Sequence, residues 1–427
     1  MIYRVILLLL LPALIHAQST PSAATAAAVA ELNKGNVFEA VRQLKEAVRA
    51  EPSSAAAYFY LSTVYTGLGR NEVAYRYLQL AMKTNPGQGA AYHQLGVIRS
   101  REGCRRESLE AFQQALQKGM GKDEALAWRH VGDAYVDLLA FEKAGEAYRN
   151  AIKSDPNDAG AHLALGKLYL DRNDSDRAIS ELNAALKLSP DLEGAHASLG
   201  RAWRAAGDPA TAIKILKLGV ERSPSDQEAR YVLGQTLLST GRTDEGRREM
   251  DEYRRVQDRI SQTNGLFESA VNQAEAGELD RAENLLKDTL RLAPHYAPAL
   301  RVLGSVMLNR GNTQAATGVL QQALASNPLN SEIYFDLATA SFSVGKLDDA
   351  LEMAGRALIL EEEDERYYSL IADIYSKMKR PAEARSAIDR AGQLKSRPGY
   401  QTPGPYSAEM RRRTDSATVK AICGAQQ

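Results

Sequence analysis

The sequence predicts an all-α fold of about eleven helix-turn-helix repeats, because a fixed spacing recurs and helix-ending residues recur with it. A set of small and apolar residues returns about every 34 positions. In one clear copy the set is Leu165, Gly166, Tyr169, Ala178, Leu182, Ala185 and Pro190. In the next copy it is Leu199, Gly200, Trp203, Ala212, Leu216, Gly219 and Pro224. This period indicates an array of stacked units in which each unit packs against its neighbours.

Each copy is predicted to form a pair of helices. Apolar residues three and four positions apart give each helix one apolar stripe. Gly166 and Ala178 are expected where the two helices approach closely, since a large side chain would separate them. The polar stretch from Asp171 to Asp176 predicts the turn, and Pro190 ends the second helix. A single hairpin buries too little apolar surface to fold alone, so the copies must stack.

These intervals resemble those of the tetratricopeptide repeat, which carries Trp, Leu-Gly, Tyr, Ala, Phe and Pro at the same places. The resemblance covers roughly residues 21–398. It implies a right-handed α-solenoid of about eleven repeats that is not an enzyme and that binds other proteins. Two units depart from the pattern. The third ends in Lys118–Gly121 without a proline, and the seventh continues as a charged helix from Arg247 to Arg259.

Four segments are predicted along the chain. They are a signal peptide at 1–17, an N-terminal array at 18–260, a C-terminal array at 261–398 and a disordered tail at 399–427. The boundary between the arrays lies in the weakest joint, from Gly246 to Gln262, where glycine replaces the usual alanine and no proline ends the helix. We therefore expect the two arrays to unfold semi-independently.

The first residues are typical of a secretory signal peptide. Arg4 precedes an apolar run from Val5 to Ile15, and the small Ala17 is followed by polar residues. About eleven apolar residues are too few for the roughly 20 that cross a bilayer. An uncleaved N-terminal anchor is the alternative. We expect an exported protein, periplasmic or extracellular in a bacterium, with no membrane span in the mature chain.

Two further features follow from the composition of the exported chain. It contains two cysteines, Cys104 and Cys423, whose disulfide would only tether the C-terminal end, so the fold is not expected to depend on it. The tail from Gly399 to Gln427 loses the repeat pattern and is rich in small polar residues, proline and arginine. Such a composition cannot bury a core.

No set of residues predicts catalysis, a metal or a cofactor. The sequence contains no HExxH, no GxSxG and no Cys–His constellation. His162 and His196 stand one repeat apart but lack further ligands, so helix packing is the better interpretation. Asp133 and Asp137 share a helix face, which we interpret as a solvated face. The balance of 53 basic and 53 acidic residues gives no electrostatic reason to expect nucleic acid.

The resemblance further implies that the first helix of each repeat lines a concave groove, mainly through the fifth, ninth and twelfth positions. The candidate groove residues are Phe59, His93, Arg129, Lys167, Arg201, Arg204, Tyr231, Phe267, Arg301, Phe335 and Phe342. Aromatic ends therefore flank a basic middle. For the aromatic residues the alternative is packing between repeats, and for Arg201 and Arg204 it is an ordinary solvated face. The set with which chaperone-type members hold a C-terminal carboxylate is absent from these positions, so that activity is not expected.

The functional prediction is a non-enzymatic scaffold of the bacterial cell envelope that binds peptide or helix segments of protein partners in its groove. Two alternatives remain open at this point. One is a scaffold that binds polysaccharide during export, with aromatic side chains as sugar platforms. The other is a regulatory subunit of a separate enzyme.

Overall fold

The computed structural model describes residues 22–397 and Tyr406. The described residues form twenty-one α-helices and one short 3-10 helix, and none of them lies in a strand. This confirms the predicted all-α fold of about eleven hairpins. The predicted signal peptide at 1–17, Cys423 and all of the predicted tail except Tyr406 lie outside the described residues.

The chain divides into two compact units, which meet between Gln257 and Asp258. Unit 1 contains repeats 1 to 6, each a pair of consecutive helices, and the start of repeat 7. Its helices are α1 Ala23–Asn33, α2 Val37–Ala50, α3 Ala55–Gly67, α4 Asn71–Thr84, α5 Gly89–Arg101, α6 Arg105–Lys118, α7 Glu124–Asp137, α8 Phe141–Ser154, α9 Ala159–Asp171, α10 Ser175–Leu188, α11 Ala195–Ala205, α12 Pro209–Arg222 and α13 Gln227–Ser239. The 3-10 helix Gly121–Asp123 precedes α7, where the third repeat lacks its proline.

Helix α14, Thr243–Glu275, contains the boundary between the units. Its first part pairs with α13 as repeat 7, and its last part pairs with α15 as repeat 8. Unit 2 continues with repeats 9 to 11, again as consecutive pairs. Its helices are α15 Leu279–Leu292, α16 Ala297–Asn309, α17 Thr313–Ser326, α18 Ser331–Ser343, α19 Leu347–Leu360, α20 Glu365–Lys377 and α21 Pro381–Lys395.

Local chemistry explains where the helices begin and turn. The Asp158 side chain caps α9 by accepting a hydrogen bond from the backbone N–H of Ala161, as an N-cap aspartate does. The turn inside each hairpin needs one residue with a left-handed backbone, which glycine adopts without strain, as at Gly207 with φ 84°. Repeat 5 places Asn173 there, with φ 58°. Asparagine tolerates this conformation because its short polar side chain bonds locally.

The two helices of a hairpin approach most closely at a glycine on the first helix and a large apolar residue on the second. A Cβ atom added to Gly166 would lie 2.7 Å from Cγ of Leu182, and Leu182 is fully buried. The same contact recurs in the pairs Gly96 with Phe112, Gly132 with Tyr148, Gly200 with Leu216 and Gly304 with Leu320. The predicted role of Gly166 as a helix-packing residue is thus confirmed.

The joint between the arrays differs from its predicted form. Gly246 does make a close contact, because an added Cβ would lie 2.8 Å from Cγ of Leu238 and 3.0 Å from the carbonyl oxygen of Gly234. The joint is instead marked by α14, a single helix of 33 residues that serves both neighbouring repeats. Between Gly246 and Thr263 none of its residues is buried. The array boundary at residue 260 itself stays a prediction.

At one residue, Tyr406, the structure differs from the predicted disordered tail. Its side chain is 3% exposed and belongs to the apolar core of unit 2. A buried aromatic ring with satisfied hydrogen bonds offsets the entropy of ordering the residue that carries it. Composition alone did not indicate this contact, because it depends on a single tyrosine.

We predict that Gly166→Leu lowers the free energy of unfolding by roughly 2–4 kcal/mol, because the added side chain meets the buried Leu182 and the hairpin cannot relax without separating its helices. Thermal and urea unfolding followed by circular dichroism measure the change. Gly318→Leu is the control, since Gly318 lies in α17 with nothing within 4 Å of its added Cβ. Equal stability of the Gly166→Leu protein and the native protein would show that the helix contact is misassigned.

We also predict that the chain unfolds in two transitions, because stability in a repeat array propagates between neighbours and the middle of α14 buries no side chain. Gly166→Leu in unit 1 and Gly304→Leu in unit 2 make the same kind of clash with a buried leucine. Each substitution should lower only one transition in differential scanning calorimetry. A single transition that both substitutions lower equally would contradict the prediction.

Candidate binding faces of the two units

The candidate groove residues lie on the first helices of their repeats and differ widely in exposure. Four are buried, three are half-buried and four are exposed. The buried residues are Phe59, His93, Phe267 and Arg301. The half-buried residues are Arg129, Phe335 and Phe342, and the exposed residues are Lys167, Arg201, Arg204 and Tyr231. The exposed four all belong to repeats 5 to 7.

The buried aromatic candidates contribute to packing. Phe59 packs edge-on against Tyr60, with ring centroids 5.7 Å apart, and is 3% exposed. Phe267 is fully buried and packs edge-on against Tyr296, with centroids 5.4 Å apart. Neither ring is available to a partner, so both are withdrawn from the candidate binding surface. Packing between repeats, the alternative interpretation of the aromatic positions, applies to them.

The buried His93 forms a pair with the half-buried His130, a residue that sequence reasoning did not select. The Nε2 atom of His93 lies 2.9 Å from Nδ1 of His130, and the two rings are stacked. Burial, together with the nearby Arg129 guanidinium, lowers the pKa of His93 to about 4. Burial, His93 and Arg129 together hold the pKa of His130 well below its usual range. Both imidazoles are therefore neutral at pH 7.

A small cleft of about 230 Å³ adjoins this pair, with Arg101, His130 and Asp133 among its lining residues. Asp133 and Asp137 are both exposed, as the interpretation of a solvated face expected, and the Asp133 carboxylate also accepts a hydrogen bond from the hydroxyl of Tyr148 at 2.8 Å. Desolvation of the carboxyl group by its neighbours raises the pKa of Asp133. Arg101 donates to the backbone carbonyl of Thr66 in the preceding repeat. Arg101 and the histidine pair thus bond across neighbouring repeats, whereas Asp133 bonds within repeat 4.

We define the repeat 5–7 face as the four exposed residues Lys167, Arg201, Arg204 and Tyr231. Arg201 forms an ion pair with Glu228, at 3.4 Å, and Arg204 donates to the side-chain oxygen of Gln235, at 3.3 Å. Both contacts link α11 to α13. The ion pair neutralises the charge of Arg201, and because both of its partners are exposed it adds little stability.

The aromatic side chain of the repeat 5–7 face is fixed by its neighbours. The hydroxyl of Tyr231 accepts a hydrogen bond from Nε2 of Gln235 at 2.6 Å, and its ring packs against Tyr253 with centroids 5.1 Å apart. Leu238, about two turns further along α13 than Tyr231, is 39% exposed. The face therefore combines cations with an aromatic ring and an aliphatic side chain.

Unit 2 contains a cluster of buried charges on the first helices of repeats 9 to 11. Arg301 is fully buried, and its Nη1 atom lies 3.5 Å from a carboxylate oxygen of Asp336 and 3.9 Å from one of Glu332. Glu332 also pairs with Arg366 at 2.5 Å. Burial raises the pKa of Asp336 to about 7, although Arg301 opposes this shift. Arg301 is thus withdrawn from the exposed groove surface, because these carboxylates hold it inside.

The half-buried candidates contact charged side chains while remaining partly exposed. The guanidinium of Arg366 lies over the ring of Phe335, at 5.4 Å from its centroid, and Nζ of Lys377 lies 3.9 Å from the centroid of Phe342. Such cation–π contacts stabilise a side chain without removing it wholly from solvent. Arg129 pairs with Asp158 of the next repeat at 3.4 Å.

The remaining candidates for chemistry have structural partners. His162 lies 2.6 Å from a carboxylate oxygen of Glu181, and His196 is 7% exposed and packs against Gly219. Within residues 22–397 and Tyr406, no group of three or more His, Cys, Asp or Glu side chains is arranged to hold a metal ion. In the same part of the chain, none of the helices combines the length and the apolar character that crossing a bilayer requires.

Comparison with known proteins assigns the family. One tetratricopeptide repeat profile matches residues 25–88, 94–159, 132–193, 163–226 and 267–331. Two others match residues 204–259 with 307–374, and residues 365–396. These matches cover most of the chain and coincide with the observed hairpins. The chain belongs to the tetratricopeptide repeat family, and it is a repeat scaffold of the protein-interaction type.

Similar proteins share only parts of the chain. Human protein O-mannosyl-transferase TMTC1 is 34% identical over 119 residues, which are 28% of this chain and 13% of that protein. Anaphase-promoting complex subunit 7 of Dictyostelium discoideum is 27% identical over 111 residues, which are 26% of this chain and 19% of that protein. The solved structure of PilF from Pseudomonas aeruginosa is 16% identical, with a TM-score of 0.45, and covers 49% of this chain and 94% of its own.

We predict that the His93–His130 pair makes the protein less stable as the pH falls from about 6.5 towards 4. The unfolded chain binds a proton to His93 near its ordinary pKa of 6.5, whereas the folded protein binds it only near 4. The unfolded state therefore takes up more protons within this window, and the loss is on the order of 2–3 kcal/mol.

Urea unfolding at pH 7.0, 6.0 and 5.0 tests this expectation. His93→Gln keeps a hydrogen-bonding side chain but removes the titrating group, so its stability should fall less between pH 7 and pH 5. His295→Gln is the control, because His295 is exposed. Identical pH profiles for the native protein and the His93→Gln protein would exclude the buried pair as the cause.

Proposed function

We propose that this chain is an exported scaffold of the bacterial cell envelope that binds extended segments of partner proteins on its repeat 5–7 face. The membership in the tetratricopeptide repeat family supports a protein-interaction role. Export is supported by the sequence of residues 1–17, with Arg4, an apolar run and Ala17 in the order of a signal peptide.

One observation carries the choice of this face. Of the eleven candidate groove residues, the four that remain exposed stand in three consecutive repeats, while the others are wholly or partly used by packing. A binding surface needs side chains that remain accessible to solvent. The repeat 5–7 face is the stretch of the groove where cations and an aromatic ring meet this condition.

The chemistry of the face defines the partner. Lys167, Arg201 and Arg204 are cationic, and only Arg201 has an acidic neighbour at ion-pair distance, Glu228. Tyr231 and Leu238 expose apolar surface beside these cations. An acidic segment that also carries an aromatic or aliphatic residue fits this arrangement. The charges would steer and orient the segment, and the apolar anchor would supply most of the affinity.

We predict that the combined change Arg201→Glu and Arg204→Glu weakens binding of an acidic peptide about tenfold at low salt, because exposed charge contacts contribute roughly 0.2–1 kcal/mol each and the new glutamates repel the peptide. Fluorescence anisotropy with a labelled peptide of Asp, Glu and one central Phe measures the dissociation constant at 20 and 300 mM NaCl. The difference between native and substituted proteins should shrink at the higher salt concentration.

Two controls make this test specific. The change Lys187→Glu with Lys214→Glu alters the net charge equally but places it on the second helices α10 and α12, where both lysines are exposed. It should leave binding nearly unchanged. Equal affinity of the native and Arg201/Arg204-substituted proteins at low salt would remove this face from the mechanism. Binding of oligosaccharides but of no peptide would replace the proposal with a polysaccharide-binding scaffold.

A further inference from the structure

A residue from outside the repeats, Tyr406, packs against the first helices of repeats 8 and 9. The ring of Tyr406 belongs to the apolar cluster of unit 2 that also contains Val271, Ala274 and Val302. The tyrosine is 3% exposed. Val271 and Ala274 lie on α14, and Val302 lies on α16. The repeats thus receive this side chain from a segment that follows the last repeat helix in the sequence.

The polar groups of Tyr406 are bonded to both helices. Its backbone N–H donates to a carboxylate oxygen of Glu275 at 3.2 Å, and its backbone carbonyl accepts from Nη2 of Arg301 at 3.0 Å. Its hydroxyl accepts a hydrogen bond from the side-chain amide of Asn309. Two of these bonds involve backbone atoms of Tyr406, which other residues could also provide. The hydroxyl bond and the apolar surroundings select tyrosine.

One of the groups that contact Tyr406, the guanidinium of Arg301, is also held by carboxylates of the repeats. Arg301 is fully buried and faces Asp336 and Glu332 on α18, so its guanidinium has one orientation. A donor held in this way loses little entropy when it bonds to a peptide carbonyl, and preorganisation of this kind raises affinity. The buried charge also benefits from a carbonyl acceptor, because a buried polar group needs partners.

We propose that this place is a tyrosine-specific peptide site which the chain's own Tyr406 occupies, so that a tyrosine-containing segment of a partner protein binds only in competition with Tyr406. The proposal extends the proposed function, since it again uses first helices to hold peptide. It concerns different repeats and a different unit. The charge-reversal test at Arg201 and Arg204 can therefore fail while this proposal holds, and the reverse is equally true.

The covalent connection makes the internal segment an effective competitor. Tyr406 follows the end of α21 at Lys395 by only eleven residues. A short tether of this kind gives an effective concentration on the order of 1 mM. If a free tyrosine peptide binds the empty site with a dissociation constant of about 50 μM, the tethered residue weakens its binding about 20-fold. A partner must be abundant, bind more tightly or bind at several places to displace it.

We predict that Tyr406→Ala in the full chain opens the site. The probe is a fluorescein-labelled peptide with the sequence of residues 401–410, QTPGPYSAEM, and the readout is fluorescence anisotropy. The Tyr406→Ala protein should bind this peptide at least tenfold more tightly than the native protein does. The same peptide with alanine in place of its tyrosine should bind neither protein measurably, and the phenylalanine version should bind the opened site more weakly than the tyrosine peptide.

Two further variants connect the binding to the observed contacts. Asn309→Ala, combined with Tyr406→Ala, should reduce the preference for the tyrosine peptide over the phenylalanine peptide, because Asn309 bonds to the hydroxyl. Tyr400→Ala is the matched control, since it removes another tyrosine of the same C-terminal segment and should leave the native, weak binding unchanged. Circular dichroism of each variant reports whether the helical fold is retained.

Three results would overturn the proposal. The first is equal affinity of the native and Tyr406→Ala proteins for the peptide, and the second is equal binding of the tyrosine and alanine peptides to the Tyr406→Ala protein. The third is a gain in peptide affinity from Tyr400→Ala as large as the gain from Tyr406→Ala. If Tyr406→Ala lowers the helix content, Tyr406→Phe replaces it, because phenylalanine keeps the ring in the apolar cluster. That protein should bind the tyrosine peptide with an affinity above the native one, and unchanged binding would again contradict the proposal.

Discussion

The close contact between a glycine on the first helix of a hairpin and a large residue on the second determines the rest of this structure. At Gly166 and Leu182, and again at Gly200 and Leu216, an added Cβ would lie under 3 Å from the leucine side chain. Since neither leucine is exposed, the hairpin has no space into which it could expand. The hairpins that contain this contact therefore share the same close pairing of their two helices, and differences among them must come from residues outside the contact.

These differences between repeats determine which groove positions are exposed to solvent. The fifth position of a repeat points towards the next first helix, so its exposure depends on the size and charge of its neighbours. Phe59 is covered, whereas Tyr231 remains 37% exposed beside Tyr253. Arg129 and Arg301 hold equivalent places, yet Arg129 finds one carboxylate at the edge of the next repeat, while Arg301 faces two in its interior. The position of a residue in the repeat therefore indicates where its side chain points, but it does not determine how far the side chain is buried.

The sequence alone predicted what local spacing determines. The all-α fold, the hairpin contact at Gly166 and the departure of the pattern between Gly246 and Gln262 all follow from residues close together in the chain. The burial of Phe267 and Arg301 did not follow, because it depends on packing across repeats. The sequence predicted the continuity of α14 only in part, because the missing proline indicated an extended helix but did not indicate its length.

Two residues were missed for related reasons. His130 follows Arg129 in the sequence and falls outside the groove positions of the family, so only its contact with His93 in the preceding repeat reveals it. In the sequence, His130 stands about one repeat after His93, and this spacing alone is a weak indication that the two residues are in contact. Tyr406 was missed because a single residue does not change the composition of a segment, and the tail contains a second tyrosine, Tyr400, from which the sequence does not distinguish it.

The two units use charge in opposite ways, and this determines what each can recognise. In unit 1 the cations of the repeat 5–7 face are exposed, so solvent screens them, and they act chiefly on the rate and orientation of an encounter. In unit 2 Arg301 is buried between carboxylates and keeps a donor directed at a backbone carbonyl. A desolvated donor in a fixed position is costly to leave unpaired, so it discriminates by geometry. Attraction at an exposed face tolerates many acidic segments, whereas the buried arginine accepts only a segment whose carbonyl and neighbouring side chain fit together.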